Sequence, residues 1–382
     1  MTIVGFTSTG SKRPELLFGP GTDGLPERML RSTGCTVTAT DGRPYLDFIM
    51  ALGAVALGYG HPDVNRAVVA AVERGTIGPL SPEDESLLAA ELGAAIPWLE
   101  VVLFLKTGAE AVAAAVRIAR VATGRPQVIG CGYHGWLDWC SAAAGVPAET
   151  RQLFTTIRFN DPGHAQHEIR AAGDRLACVV VEPVVDEAPA NEWLSVLRSE
   201  TSRVGAILIF DEIKTAFRVA IGGAAEKWDV RPDLAVLGKA MANGYPLAAV
   251  GGARGVMHHA TRTWISSTMA TEFVSLAAAR ATLQVMKDHQ VPRHLDVVGT
   301  RLFQGLKRLA ARHSEAGFRV AGIPQMCYLR HDDEHASHRL AVECVRRGLL
   351  FKRTAYNFVS LAHDEITIDR ALGLLDEALG AC

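Results

Sequence analysis

Lysine is scarce in this chain: eight residues, at positions 12, 106, 214, 227, 239, 287, 307 and 352, against 31 arginines. With so few, each amine can be weighed by its surroundings. Basic charge in excess is lacking too, the formal net charge being −2, and no Lys/Arg cluster is interleaved with aromatics, so neither nucleic acid nor an anionic membrane surface is expected as a partner. Paired cysteines are missing: the seven Cys are scattered from Cys35 to Cys382 without a C-x-x-C pair, which argues against a disulfide framework and a structural zinc site. The opening MTIVGFTSTGSKRPELL contains no long apolar core and reads as neither signal peptide nor membrane anchor; cytoplasmic residence is the expectation. The one dense group of metal-type residues, RHDDEHASHR from Arg330 to Arg339, crowds charges without an apolar shell, and a solvated turn is expected there, with no metal.

What is present is a well-filled core, 48% of 382 residues being hydrophobic, enough for two domains or one large domain with an appendage. Short apolar runs alternate with helical stretches: VVLFLK (101–106), PQVIG (126–130), LACVVVEPV (176–184), AILIFDE (206–212) and DLAVLGK (233–239) read as buried strands, and EAVAAAVRIARVATG (110–124) as an Ala-rich helix closed by glycine. That alternation is the pattern of parallel βαβ units. From about Glu272 long helical periodicity takes over, followed by short strands and a last helix, IDRALGLLDEAL. The expected organisation is a large α/β domain over 50–275, with a mainly parallel central sheet covered by helices on both faces, and a smaller α+β domain built from 1–49 and 276–382.

Four places along this framework carry chemistry. The run Ala206–Phe210 ends in two carboxylates, Asp211 and Glu212; an acid at the carboxyl end of a parallel strand either pairs a cation where such sheets bind ligands or caps the next helix. In KTGAEA (106–111), Gly108 permits a tight turn and the amides of Gly108, Ala109 and Glu110 open a helix, a fit for one phosphate. Neither the dinucleotide fingerprint nor the nucleotide loop stands at this junction. In CGYHGW (131–136) two glycines flank Tyr133 and His134; the pair either presents a ring to a flat ligand or packs a loop. Finally, Lys239 alone among the lysines follows a buried apolar run and lies between Gly238 and a glycine turn. It is either a surface lysine ending a strand or a desolvated, nucleophilic amine. A phosphate, a flat ring, a ring atom seeking an anion and a carbonyl that reacts with an amine occur together in pyridoxal 5′-phosphate (PLP). Asp211 would then face the pyridine nitrogen, Lys239 would hold the aldehyde as a Schiff base and move the proton, and Tyr133 and Ile213 would clamp the ring faces.

These residues, with TDGRPYLDF, LGYGHPDV, KTGAEAVAAAVRIARVATGR, GYHGW, VEPV, IFDEIKTAFRVAIGG, PDLAVLGKAMANGYPLAAVGG, WISSTMATE and FVSLAHDEITIDRAL, resemble the class III (omega-type) PLP-dependent aminotransferases of fold type I, including the glutamate-1-semialdehyde aminomutase group. The resemblance spans nearly the whole chain. It implies Lys239 as the Schiff-base lysine, Asp211 at the pyridine nitrogen, Tyr133 and His134 at the ring, Gly108 and Ala109 in the phosphate cup, and Glu182 near the cofactor's hydroxyl. It further implies that Thr268 reaches the phosphate of a neighbouring subunit, hence a homodimer with shared active sites. Three departures stand out. Ala109 occupies a place usually held by Ser or Thr, leaving Ser267, Thr268 or water to replace a phosphate hydrogen bond. Ala216 replaces a usual Gly. Leu52 stands where the aminomutases carry a tryptophan, which counts against that activity. The implied reaction is a ping-pong transfer of an amino group from a small-molecule donor to an aldehyde or ketone, with a lean toward specialised metabolism; the alternatives are an aminomutase or epimerase, or a PLP-fold protein that binds without turnover. Arg218 and Arg353 are candidates for holding a substrate carboxylate.

Overall fold

In the computed structural model the described residues are 2–21 and 24–382. The chain divides into two compact units, Asp63–Pro292 on one hand and Met1–Pro62 with Arg293–Cys382 on the other.

In chain order, the first strands are β1 (Met29–Thr33), β2 (Thr36–Ala39) and β3 (Pro44–Asp47), an antiparallel meander turned at Asp41–Arg43, where the Asp41 carboxylate accepts the Arg43 amide at 2.9 Å. Residue Asp47 ends β3 buried, and its carboxylate accepts the amides of Ile49 (2.8 Å) and Met50 (3.1 Å) and the Tyr59 hydroxyl (2.7 Å). Burial pushes its pKa up to about 6. The capped segment is strained: Met50, Ala51 and Leu52 have φ of 45°, 50° and 60°, a left-handed run that costs about 1–3 kcal/mol per non-glycine residue. Leu52, noted above for its place, therefore sits in an imposed backbone geometry.

The larger unit holds β4 (Val101–Leu105), β5 (Gln127–Cys131), β6 (Phe154–Thr156), β7 (Leu176–Val181), β8 (Ile207–Asp211), β9 (Leu234–Leu237) and β10 (Ala248–Gly252) in one sheet of order β4-β10-β9-β8-β7-β5-β6. All pairings are parallel except those of β10, which runs against both β4 and β9. Strand β7 is buried at every position because its two faces feed two cores. Residues Cys178 and Val180 pack with the Ala-rich helix Gly108–Thr123, whereas Val179 and Val181 join Ile169, Trp193, Leu194 and Leu197 from the helices Pro162–Ala172 and Asn191–Val204. Each fully buried valine contributes roughly 1.5–3 kcal/mol. The helix Gly108–Thr123 stops where sequence reading places a stop, Gly124 taking a left-handed cap at φ 70°, and Asn191–Val204 ends in the same way at Gly205 (φ 67°).

Strands β6 and β10 are the elements of this sheet that the sequence reading does not anticipate, and β10 is the one at its interior. The residues of β10, AAVGG, have little β-propensity. Their smallness is what the position demands: a Cβ on Gly252 would lie 2.2 Å from the Asp233 carbonyl oxygen, and one on Gly251 2.8 Å from Leu99.

The remaining strands, β11 (Arg319–Ile323), β12 (Met326–Arg330), β13 (Leu349–Leu350) and β14 (Asn357–Phe358), belong to the smaller unit. There β13 extends the β1-β2-β3 sheet in parallel with β3, and β11-β12-β14 forms a separate antiparallel sheet. The acidic stretch 332–334 is occupied locally, Asp332 pairing with Arg319 at 2.8 Å and Asp333 capping the helix Glu334–Arg346. No helix among the described residues is long and apolar enough to cross a membrane.

Candidate functional site

The five parallel strands β4, β5, β7, β8 and β9 end near the residues that sequence analysis singles out: Gly108 and Ala109, Tyr133 and His134, Glu182, Asp211, and Lys239. Ligands of open α/β sheets bind at this carboxyl edge.

At the end of β8 the two adjacent carboxylates divide the roles that sequence reading left open between them. Asp211 pairs with His134, Oδ2 to Nδ1 at 2.8 Å, with both side chains 1% exposed. Glu212 does the capping: it accepts the amides of Ala224 and Ala225 at 2.8 Å each, at the start of the helix Gly223–Lys227, and the Thr215 hydroxyl. Burial nevertheless pushes the Glu212 pKa up to about 7. His134 is backed by Trp139, whose ring is stacked at 6.2 Å, and its Nε2 is buried without a partner. Tyr133, by contrast, leaves its ring 71% exposed.

At the end of β4 the helix Gly108–Thr123 begins with a capping box: Thr107 Oγ1 accepts the Glu110 amide at 3.2 Å and the Glu110 carboxylate accepts the Thr107 amide at 2.9 Å. The expectation that three amides open outward is thereby corrected to two, those of Gly108 and Ala109, since the Glu110 N–H is consumed internally. The turn is closely walled. A Cβ on Gly108 would meet Ile213 Cδ1 at 2.5 Å, and one on Gly135 (φ 100°) would meet the Ala109 Cβ at 2.6 Å.

Lys239 follows Gly238 at a backbone φ of 44°, a left-handed residue of the kind that clusters at functional sites. Burial, and after it the neighbouring Lys214 ammonium, lower its pKa to about 8. Other lysines are committed elsewhere. The Lys106 ammonium pairs with Glu272 at 2.6 Å, and that carboxylate also caps the helix Phe273–Asp288; Lys352 donates to the Ala355 carbonyl at 2.6 Å. Lys214 pairs with Glu182 at 2.9 Å, a contact that weighing lysines by a preceding apolar run does not find; its position three residues beyond Asp211, just past the strand end, is the available signal.

Ser267 is half-buried and Thr268 exposed, in a segment that also exposes Trp264 (88%) and Met269 (54%). Neither Ser267 nor Thr268 touches the cluster around Asp211 within the described contacts. Arg218 is fully buried and its pKa is pushed down to about 10 by that burial. Arg353 belongs to the smaller unit, where its guanidinium lies 3.4 Å from Glu334.

Comparison with known proteins agrees with this geometry. Residues 20–379 match the family model described as aminotransferase class-III. A glutamate-1-semialdehyde 2,1-aminomutase of Rhodopirellula baltica is 35% identical over 406 residues, covering 97% of this chain and 92% of the relative. One of the same description from Thermus thermophilus is 32% identical, covering 93% and 92%. Among solved structures, the FumI protein of a Sphingopyxis species, in a PLP form, superposes with a TM-score of 0.90 at 25% identity, covering 98% of this chain and 92% of that one. At 22% identity, a glutamate-1-semialdehyde aminomutase of Pseudomonas aeruginosa, with a TM-score of 0.86 and coverage of 99% and 91%, shares the fold. With a family match over nearly its whole length and relatives above 30% identity, this chain belongs to the class III aminotransferases, a family whose cofactor is pyridoxal phosphate.

Proposed function

We propose that the chain transfers an amino group from a small-molecule amino donor to an aldehyde or ketone acceptor, with Lys239 as the catalytic residue that binds the cofactor's aldehyde carbon. The observation that carries the reading is a lysine amine lowered to about 8, on a left-handed backbone turn, within electrostatic reach of Asp211 and Glu182 at one edge of a parallel sheet. The residues present fit pyridoxal phosphate. A closely walled glycine turn, two amides at a helix start, a buried carboxylate and a partly neutral amine match its phosphate, pyridine nitrogen and aldehyde.

When bound, the cofactor supplies an electrophilic aldehyde and an electron-poor ring that stabilises negative charge on the carbon next to the substrate nitrogen. The chain's own groups do the rest. Gly108 and Ala109 offer N–H groups to the phosphate oxyanions at the positive end of a sixteen-residue helix. Asp211, held in orientation by His134, presents fixed negative charge in a dry site. Tyr133 and Ile213 would cover the two faces of the flat ring, and Glu182 would stand toward its hydroxyl. Lys239 Nζ, its pKa lowered to about 8, accepts and returns a proton. Thr268, with Ser267, is assigned to the phosphate of a second copy, and the exposed Trp264 and Met269 beside them support a homodimer that covers this surface.

A second reading keeps the amine on one molecule, as an aminomutase does; it is favoured by the description of the Rhodopirellula and Thermus relatives, and Leu52 counts against it. An amino-donor panel separates them, a transaminase converting bound cofactor in net amount to its pyridoxamine form and a mutase returning it. The site itself is tested by borohydride reduction of the loaded protein and peptide mapping. A pyridoxyl adduct on Lys239 is expected, and one on Lys106 or Lys214 overturns the assignment.

A further inference from the structure

Glu182 is a buried carboxylate that acts electrostatically on Lys239 and is paired with Lys214. Its Oε1 lies 2.9 Å from Lys214 Nζ, with the two side chains 8% and 11% exposed. Its Oε2 accepts the Tyr133 amide at 2.9 Å. The loop before Tyr133 is folded tightly onto it: Gly132 has φ 105°, and a Cβ there would lie 2.5 Å from Oε2. Lys239 forms no ion pair among the described residues.

The charged groups that act most strongly on Lys239 through space are the cations Lys214 and Arg218 and the carboxylates Glu182 and Asp211. Both carboxylates are taken, Asp211 by His134 and Glu182 by Lys214, and the other two groups are cations. A buried carboxylate without a partner holds the nearest ammonium protonated, and a protonated lysine is no nucleophile.

We infer that Lys214 is a positioning residue of this site: by occupying the buried Glu182 carboxylate it fixes the Gly132–Tyr133 turn and leaves the Lys239 amine free of a carboxylate of its own. The burial of the Lys214–Glu182 pair matters, since an exposed pair is worth little whereas removal of one partner from a desolvated pair leaves the other charge uncompensated. Lys214 thus acts on the reacting amine at a distance, through a carboxylate that holds the Tyr133 amide and acts on Lys239 through space.

The inference rests on Lys239 being the reactive amine, yet its test needs no turnover. Full-length protein stripped of cofactor is pulse-labelled with acetic anhydride across pH 6 to 10, and Lys239 acetylation is read by peptide mass spectrometry against the exposed Lys12. In Lys214→Met the midpoint for Lys239 is expected to rise by about one unit or more, because a repelling cation is lost and Glu182 is released. In Glu182→Gln it is expected to fall. Lys214→Arg retains the native midpoint, and the double variant Lys214→Met/Glu182→Gln returns toward it. An unchanged midpoint in Lys214→Met, or a double variant raised as far as the single one, overturns the inference. If Lys214→Met does not fold, the downward shift in Glu182→Gln decides alone, and its absence overturns it equally. An adduct mapped to another lysine by borohydride sinks the reading of Lys239 without moving these midpoints, so the two failures are distinguishable.

Discussion

Replacing Asp211 is the sharpest perturbation of the site. Its carboxylate and the His134 ring are 1% exposed and 2.8 Å apart, so water cannot substitute for either partner and no discount for solvent screening applies. Removing the anion from a buried ion pair costs about 3–5 kcal/mol, the scale expected for its pairing with the cofactor's ring nitrogen. In Asp211→Ala the cost falls on the bound state as well, because the cofactor's ring nitrogen loses its anion while His134, whose Nε2 is already without a partner, loses Nδ1 too. With about 1.4 kcal/mol per tenfold, pyridoxal phosphate affinity is expected to drop by roughly a hundredfold to several thousand-fold. Asp211→Asn keeps a similar shape and one hydrogen bond but no charge, and isolates the electrostatic share. Absorbance titration of cofactor-free protein with pyridoxal phosphate gives the affinity, and a cycle with His134→Phe gives the coupling. If Asp211→Ala binds within about threefold of the native protein, the placing of the cofactor against this carboxylate is wrong.

Gly135→Ala and Gly108→Ala should separate, the first costing about 1–3 kcal/mol in backbone strain alone. Its Cβ meets the rigid Ala109 at φ 100°, while the second meets only the flexible end of Ile213. The same titration should show at least a tenfold loss for Gly135→Ala and less for Gly108→Ala; equal losses would contradict the described cradle. Stability should fall as pH rises from 4.5 to 7, because the folded Glu212 pKa is raised to about 7 by burial, so its contribution is complete below the unfolded value and is lost above the folded one. Asp47, raised to about 6, acts in the same direction. Urea midpoints across this range should flatten in Glu212→Gln, and parallel curves for the two proteins would refute the assignment. Sedimentation should give twice the chain's mass, with Thr268→Ala weakening cofactor binding; a monomer that binds cofactor at native affinity would remove the shared site.

How much of this was legible in the sequence depends on the range of the interaction. Asp211 and Lys239 stand out because a buried apolar strand that ends in a charged residue is a local pattern, confined to a few neighbours. The helix from Gly108 is legible for the same reason, its Thr107 and Glu110 forming a short-range cap. What the Asp211 carboxylate pairs with is not local: His134 is 77 residues away, and only the order β8-β7-β5 brings it near. Strand β10 was missed because its alanines and glycines are selected for clearance against Leu99 and the Asp233 carbonyl rather than for conformational preference. Lys214 was passed over since its short sequence context shows a polar turn, whereas its meaning is set by Glu182 across the sheet edge.

The antiparallel insertion of β10 also governs how the polypeptide can be made. Its partners Leu105 and Ala248, like Val101 and Gly252, are separated by well over a hundred residues of chain. On a ribosome adding ~5–20 residues per second, VVLFL therefore waits on the order of ten seconds for β10, the only strand among the described residues that pairs with it. During that wait the nascent segment is an open, apolar ribbon edge of the kind that templates aggregation. Yield of native material should thus depend on translation speed and on holding chaperones far more than the finished molecule's core would suggest.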